Sequence, residues 1–384
     1  MTGDGKDMEQ WSAEKINAFR QTLLDWYDKE GRDLPWRKDH DPYHVWVSEI
    51  MLQQTQVNTV IPYYERFMKT FPTVDALAKA PADKLLKAWE GLGYYSRARN
   101  LQRAAQEIVI DRHGQWPTTA AGLQELTGIG PYTAGAIASI AFEEPVPAVD
   151  GNAFRVFSRL LEIDADIAKP ESRGVFFDAI QAVIDPQRPG DFNQAIMDLG
   201  SSYMTAVNPD SEHSPVKAFN QAYLDGHELD YPVKTPKPRP VPINYFALVI
   251  QTPAGYLLTQ RPSTGMLANM WTLPLVKETD LLVDDETALP ETDELIRRAA
   301  ATFEEDTGIE LSLTPVSSRK VTHTFTHQKW QIQLLVTQLT KTPDLSLFPG
   351  QAIQETAFDE YVMPVVQQKM WRNYQKWQQR GDKS

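Results

Sequence analysis

The stretch Leu126–Val156, LTGIGPYTAGAIASIAFEEPVPAVDGNAFRV, decides how this chain is read. Gly128 and Gly130 flank a tight turn. Pro131 suits the first turn of a helix, where its fixed φ fits and its missing N–H leaves no bond unmade. A glycine-flanked turn at a helix N-terminus exposes backbone N–H groups, a ready seat for a phosphate. The helix that follows runs through Ala134, Gly135, Ala136, Ala138 and Ser139, side chains small enough for another backbone to approach closely. It ends before Pro145. Asp150 then stands between Val149 and Gly151, and by itself reads most simply as an Asx-turn. Glycine hairpin, small-residue helix and following acid form a sharper pattern together than any one of them alone.

Outward from this stretch the chain divides. YPVKTPKPRPVP, Tyr231–Pro242, holds five prolines and three cations. It can form neither a helix nor a central strand, and reads as an extended linker. Upstream, apolar residues recur at helical spacing and the turns are short, so residues 1–230 are expected to be all helical, with the hairpin at about 123–142. Downstream, INYFALVI, GYLLTQ, RKVTHTF and WQIQLLVTQ are β-rich runs, and DELIRRAAATFEEDTGI between them is a helix ending at Gly308. Residues 243–384 are therefore expected to be α+β.

Composition bounds the function. The 384 residues suffice for two or three domains, and a hydrophobic content of 42% is that of a globular protein. The polar N-terminus, Met1 to Gln10, has no apolar core of a signal peptide, and no apolar run approaches the ~20 residues of a membrane span. A chain with no cysteine forms no disulfide and fits a reducing cytoplasm. The net charge of -13 argues against nucleic acid, but distribution outranks the total. From Lys84 to Arg103 stand Lys84, Lys87, Arg97, Arg99 and Arg103 against Glu90 alone. That run is a possible phosphate track, although by itself it reads first as a solvated helix face.

A second constellation is PWRKDHDPYHVWVSEIMLQQTQVNTVIPYYERF. Trp46, Ile50, Gln53 and Val57 trace one helical stripe, and Glu49 borders it. An apolar wall raises a carboxyl pKa, which suits a general acid. The alternative is a partly buried glutamate that caps a helix or pairs with Arg37. Three motifs now stand in order: SEIMLQQTQV from Ser48, GLGYYSRARNL from Gly91 and GPYTAGAIASIAF from Gly130, followed by VDGN from Val149. In these the chain resembles the MutY-type adenine DNA glycosylases of the helix-hairpin-helix superfamily, along nearly its whole length.

The resemblance implies an all-α helix-hairpin-helix glycosylase domain followed by an α+β Nudix-like domain. It implies a monofunctional enzyme that removes adenine mispaired with 8-oxoguanine or guanine in double-stranded DNA. Glu49 would protonate the departing adenine and Asp150 would face the oxocarbenium-like sugar, in the paired-carboxylate logic of glycoside hydrolysis. Tyr132 and Asn152 would lie near the same sugar, and Gln194, in FNQAIMDLG, would contact the adenine edge beside Arg37. Bifunctional relatives place a lysine where Tyr132 stands, so no amine is available for a Schiff base. Gln54, Leu92 and Tyr94 match positions that enter the duplex beside the lesion, Thr55 is a further DNA-binding candidate, and Gly128 and Gly130 match the hairpin that holds its backbone, where a monovalent cation could also bind. Leu92 and Tyr94 could equally be core, but their place between glycines argues for a loop tip.

The resemblance fails at one place. Met204, Ser211, Ser214 and Asn220 occupy the spacing x6, x2, x5 at which four cysteines would hold an iron–sulfur cluster. No cluster is expected in loop 204–220, and Tyr203, Met204, Val207, Val216 and Phe219 are the candidate apolar contacts that hold it instead. In the C-terminal half, GMLANMWTLPLV and EEDTGI match a Nudix-like domain, but Ala301 and Thr302 stand where a working hydrolase needs an Arg-Glu pair. Phe325, Thr326 and His327 match the family's Phe-Ser-His loop for 8-oxoguanine, with threonine keeping the hydroxyl. A cytoplasmic monomer is expected. Two rivals stand beside this reading: a glycosylase of the same fold for another mismatch, and a non-catalytic lesion-binding protein.

Overall fold

The computed structural model describes residues 11–283, 290–317 and 319–381. The polar stretch Met1–Gln10, read above as no signal peptide, lies outside them. Two compact units emerge. One runs to Lys237 but omits Trp89–Tyr95; the other joins Trp89–Tyr95 to the chain from Pro238 onward.

The first unit is helical throughout its described residues. Its helices are α1 (Ala13–Glu30), α2 (Pro42–Leu52), α3 (Val57–Thr70), α4 (Val74–Ala78), α5 (Ala82–Ala88), α6 (Ser96–Gln106), α7 (Ala120–Leu123), α8 (Pro131–Phe142), α9 (Gly151–Leu160), α10 (Ser172–Val183), α11 (Pro189–Ser202) and α12 (Gln221–Leu224). Pro131 stands at the start of α8, and Gly128, at φ 78°, makes the turn before it; a Cβ there would lie 2.6 Å from that of Asn100. The small-residue helix α8 packs against both α2 and α11, and α9 packs on α11. One apolar core gathers Phe19 and Leu23 of α1, Val156 and Phe157 of α9, Phe176 of α10, Phe192 and Leu199 of α11, and Met204 and Val216 beyond them. The helix α9, which Asp150 precedes, is thereby fixed on its apolar side, and α2, which carries Glu49, is held against α8.

The stripe Trp46–Ile50–Gln53–Val57 is not one helix. It is broken between α2 and α3, because Gln53 is the C-cap of α2 and Gln54 adopts a left-handed backbone at φ 59°. A non-glycine residue there costs of order 1 kcal/mol, so surrounding contacts must hold it.

The second unit is a mixed sheet between two helices. The strands are β1 (Val241–Thr252), β2 (Gly255–Gln260), β3 (Trp271–Thr272), β4 (Leu275–Lys277), β5 (Thr314–Pro315), β6 (Val321–Thr324), β7 (Gln328–Gln338) and β8 (Gly350–Ile353); the helices are α13 (Thr292–Thr307) and α14 (Val365–Gly381). The main path runs β3-β2-β1-β7-β5, and β1 and β7 pair in parallel from Val241↔Gln328 to Gln251↔Gln338. Alternation along β1 sends Phe246, Leu248 and Ile250 to the α13 face and Ala247 and Val249 to the α14 face. Gly308 ends α13 in the left-handed conformation at φ 72°, as its sequence position predicts.

The proline-rich segment departs from a free linker. The N–H of Ile167 donates to the Val233 carbonyl at 3.0 Å, and Thr235 N–H donates to Asp166 at 3.0 Å, so its first part lies along the helical unit. Its last residues, Val241 and Pro242, belong to β1, where an extended linker with no place in a central strand was expected. Proline is tolerated because this end of β1 pairs only with β7; the pairing with β4 begins at Tyr245.

Candidate active site

Glu49 lies in the last turn of α2 and is only 4% exposed. The Tyr132 hydroxyl, one residue after the start of α8, donates to its Oε2. The pairing with Arg37 weighed from the sequence is not formed. Burial pushes the Glu49 carboxyl up to about 7; the Tyr132 hydrogen bond opposes this, the nearby Asp150 charge adds to it and Arg37 opposes it. The result is a carboxyl that holds its proton near neutrality, the property a general acid needs.

Asp150 is the N-cap of α9. Its Oδ1 accepts from the N–H groups of Asn152 at 2.9 Å and Ala153 at 2.8 Å, and its Oδ2 accepts from Asn152 Nδ2 at 2.7 Å. Burial raises its pKa, and these donors together with Arg155 pull it back toward the charged form. The Asx geometry read as the simpler alternative is therefore present, and the same carboxyl also adjoins Glu49 electrostatically.

Arg155, one turn into α9, was not singled out from the sequence. Its Nη2 donates to Asn152 Oδ1 and, at 2.8 Å, to the Gly200 carbonyl; its Nε donates to the Met204 carbonyl at 2.9 Å. Gly200 permits this approach, since a Cβ there would sit 2.6 Å from that of Asn152. A chain of bonds thus runs from Met204 through Arg155 and Asn152 to Asp150. Its only sequence signal is an arginine three residues after Asn152.

Gln194 of α11 is buried, and its Oε1 accepts from the Tyr27 hydroxyl at 3.2 Å. One turn later Asp198 binds the Arg37 guanidinium through both oxygens, at 2.7 and 2.9 Å, and also Arg32. These two arginines hold the Asp198 carboxyl below its usual range despite burial. Arg37 in turn lies over the Tyr27 ring, 5.6 Å from its centre. Tyr27, Arg32 and Asp198 were missed by the sequence reading, because their partners are about 160 or more residues away in the chain.

The four positions at cluster spacing all lie inside the fold. Met204, Ser211, Ser214 and Asn220 are all buried, at 0, 1, 6 and 0% exposure. Asn220 Nδ2 donates to Ser211 Oγ at 3.0 Å, and its Oδ1 accepts from Tyr223 N–H at 3.3 Å. Buried Arg159 donates to the carbonyls of Met204 and Thr205, each at 3.1 Å. This donor set does not fit an iron–sulfur cluster: hydroxyl, amide and thioether offer no thiolate. Met204 and Val216 pack as expected, with Tyr203 and Phe219 against the same core, but Val207 is 77% exposed and holds nothing. Among the described residues no group of three or more His, Asp or Glu is placed to hold a metal.

Gln54 is exposed and Thr55 half-buried; the Thr55 N–H donates to the Leu52 carbonyl at 3.2 Å. Leu92 is not at a loop tip: it is 6% exposed, whereas Tyr94 is 47% exposed. Gly128 and Gly130 occupy the turn before α8. In the second unit Phe325, Thr326 and His327 form the β6–β7 turn. Phe325 packs on Trp330 at 4.8 Å between ring centres, and Thr326 and His327 are exposed. The Tyr94 hydroxyl and Thr326 Oγ1 are 3.1 Å apart, a pairing of two residues singled out separately. Arg97 departs from the phosphate track, since its guanidinium bonds to backbone carbonyls of α2 and the turn after it.

Comparison with known proteins agrees with both halves. Residues 47–176 match the HhH-GPD superfamily base excision DNA repair protein family, and residues 245–373 match the NUDIX domain. The chain is 40% identical over 314 residues to adenine DNA glycosylase of Rattus norvegicus, covering 68% of this chain and 61% of that protein. It is 36% identical over 395 residues to that of Arabidopsis thaliana, covering 91% and 61%. It is 34% identical over 418 residues to that of Homo sapiens, covering 94% and 74%. The chain thus spans about 61% of the length of the rat and Arabidopsis relatives.

Proposed function

Because the chain belongs to the adenine DNA glycosylase family, we propose that it excises adenine mispaired with 8-oxoguanine or guanine from double-stranded DNA, in base excision repair, leaving an abasic site. The observation that carries this reading is the Glu49 carboxyl, buried, protonated near neutrality, and tied to Tyr132 beside the N-capping Asp150. Base flipping would bring the adenine out of the stack, at a cost of a few kcal/mol. Arg37 and Gln194 would meet its edge. Glu49 gives its proton to a ring nitrogen as the N-glycosidic bond breaks and the bonding pair leaves with the base. Asp150, whose charged form is favoured by Asn152 and Arg155 against the effect of burial, faces the positive charge that develops on the sugar. Water then adds to the sugar carbon, and its proton returns to Glu49. Tyr132 has no amine to form a Schiff base, so the strand is not cut.

Gln54 and Tyr94 serve as wedges in this scheme, and the Phe325–His327 turn recognises the opposite base. Thr55 and the turn at Gly128 and Gly130 contact the duplex backbone, with a monovalent cation possible at the hairpin. Leu92, buried as it stands, would reach DNA only after moving. The protein would act as a cytoplasmic monomer on the nucleoid without an iron–sulfur cluster. Among the described residues no helix is long and apolar enough to cross a membrane. Single-turnover excision from a duplex with adenine opposite 8-oxoguanine tests the reading, with guanine and thymine opposite as controls. Equal excision of a thymine from a mispair supports the rival mismatch glycosylase. Tight binding without excision supports the non-catalytic rival.

A further inference from the structure

Arg97 is the second residue of α6, where the positive end of the helix dipole disfavours a cation. Its guanidinium reaches instead to the opposite kind of helix end. Nη1 donates to the carbonyls of Ile50 at 2.7 Å, Met51 at 3.3 Å and Gln53 at 2.6 Å. The last carbonyls of a helix have no partner within it, and they carry the negative end of its dipole. Arg97 therefore caps α2 from outside, across more than 40 residues of chain. The last of its acceptors, Gln53, is the residue before Gln54, which is exposed and held at φ 59°. The following residue closes the same turn, Thr55 N–H to the Leu52 carbonyl. A left-handed glutamine keeps its geometry only if neighbouring contacts fix it, and Arg97 supplies a side-chain anchor from another helix at Gln53.

We propose that Arg97 is a positioning residue that fixes the turn presenting Gln54 to the duplex, and that it does so through the backbone of α2 rather than by contacting a DNA phosphate. The proposal rests on the wedge role given to Gln54 above. The experiment uses the full chain and the variants Arg97→Ala, Gln54→Ala and the two combined. Three readouts are taken on the adenine:8-oxoguanine duplex: single-turnover excision across pH, affinity as a function of salt in a Glu49→Gln background, and 2-aminopurine fluorescence with that base in place of the adenine.

Each single variant should lower excision and the fluorescence of the flipped base by about ten- to a hundredfold and severalfold respectively, and the double variant should be no worse than the weaker single. The salt slope should match that of the parent, because a lost phosphate contact would reduce it by about one. The pH profile should keep its position, because Glu49 is anchored separately by Tyr132. Multiplying effects in the double variant, a reduced salt slope or a displaced pH profile would each overturn the role. Arg97→Gln, which keeps a side-chain N–H, replaces Arg97→Ala in the same cycle if the latter does not fold. Wild-type protein that leaves adenine in place sinks the functional reading itself, whereas active wild-type protein with a multiplicative cycle sinks only the role of Arg97.

Discussion

Glu49→Gln separates chemistry from stability, and the structure sets the size of both effects. The Glu49 carboxyl sits at about 7 in the fold against an ordinary 4.5. Glutamine keeps an oxygen to accept from Tyr132 and cannot ionise. Because the folded pKa is the higher one, the favourable contribution of the protonated group is complete below 4.5 and is lost as pH rises through about 7. Above that, the buried anion costs about 3 kcal/mol relative to the unfolded chain. About 2 kcal/mol of this arises between about pH 5.5 and pH 8.5, equivalent to roughly 4–8 °C in the melting temperature of a unit of this size. The variant should therefore melt progressively higher than wild type over that interval. Excision should fall by about 10²–10⁴, while wild-type excision declines as pH rises past about 7. Melting by circular dichroism at several pH values, with single-turnover excision on the same samples, gives both numbers. A pH-independent difference in melting temperature would refute the buried, elevated carboxyl, and near-wild-type excision would refute its use as the acid.

Asp150→Asn should abolish excision and leave lesion affinity and melting temperature nearly unchanged, since asparagine caps a helix as well as aspartate; normal excision by this variant excludes a charged partner for the sugar. The purified protein should be colourless, hold no stoichiometric iron and keep its activity after chelation, as elemental analysis and excision assays will show; a chelator-sensitive enzyme contradicts the hydrogen-bonded loop as a sufficient closure. Ala substitution of Thr326 and His327 should reduce the preference for 8-oxoguanine over guanine by about ten- to a hundredfold, the worth of one or two hydrogen bonds. An unchanged ratio of excision rates on the two duplexes would remove that turn from recognition.

Local signals carried the fold where they were strong. Pro131 and Gly308 stand where helix-end chemistry places them, and β-rich runs became β1, β2 and β7. The stripe through Gln53 misled because spacing alone cannot reveal a left-handed residue, which an arginine from another helix helps to hold. Pro242 misled because the rule against proline in a sheet applies where both flanks are paired, and that end of β1 has one. At the candidate site, Glu49, Tyr132, Asp150 and Asn152 were legible as motif positions, and the structure brings them into contact or electrostatic reach. Arg155, Asp198 and Tyr27 were not, because each is defined by a partner distant in sequence or by a backbone carbonyl, which no residue pattern displays.

The two acids differ in what their retention demands. Asp150 caps α9 with two bonds from backbone N–H groups and would be kept by a protein that had given up catalysis, or exchanged for asparagine or serine without harm to the helix. Glu49 has no such employment. It closes no helix and burdens the fold whenever the pH exceeds its elevated pKa. In a chain drifting toward a purely structural or DNA-holding role, position 49 would be the first to become glutamine, which still accepts from Tyr132 and relieves the cost of the buried anion above its elevated pKa. The glutamate that stands there is thus the more informative witness of the pair.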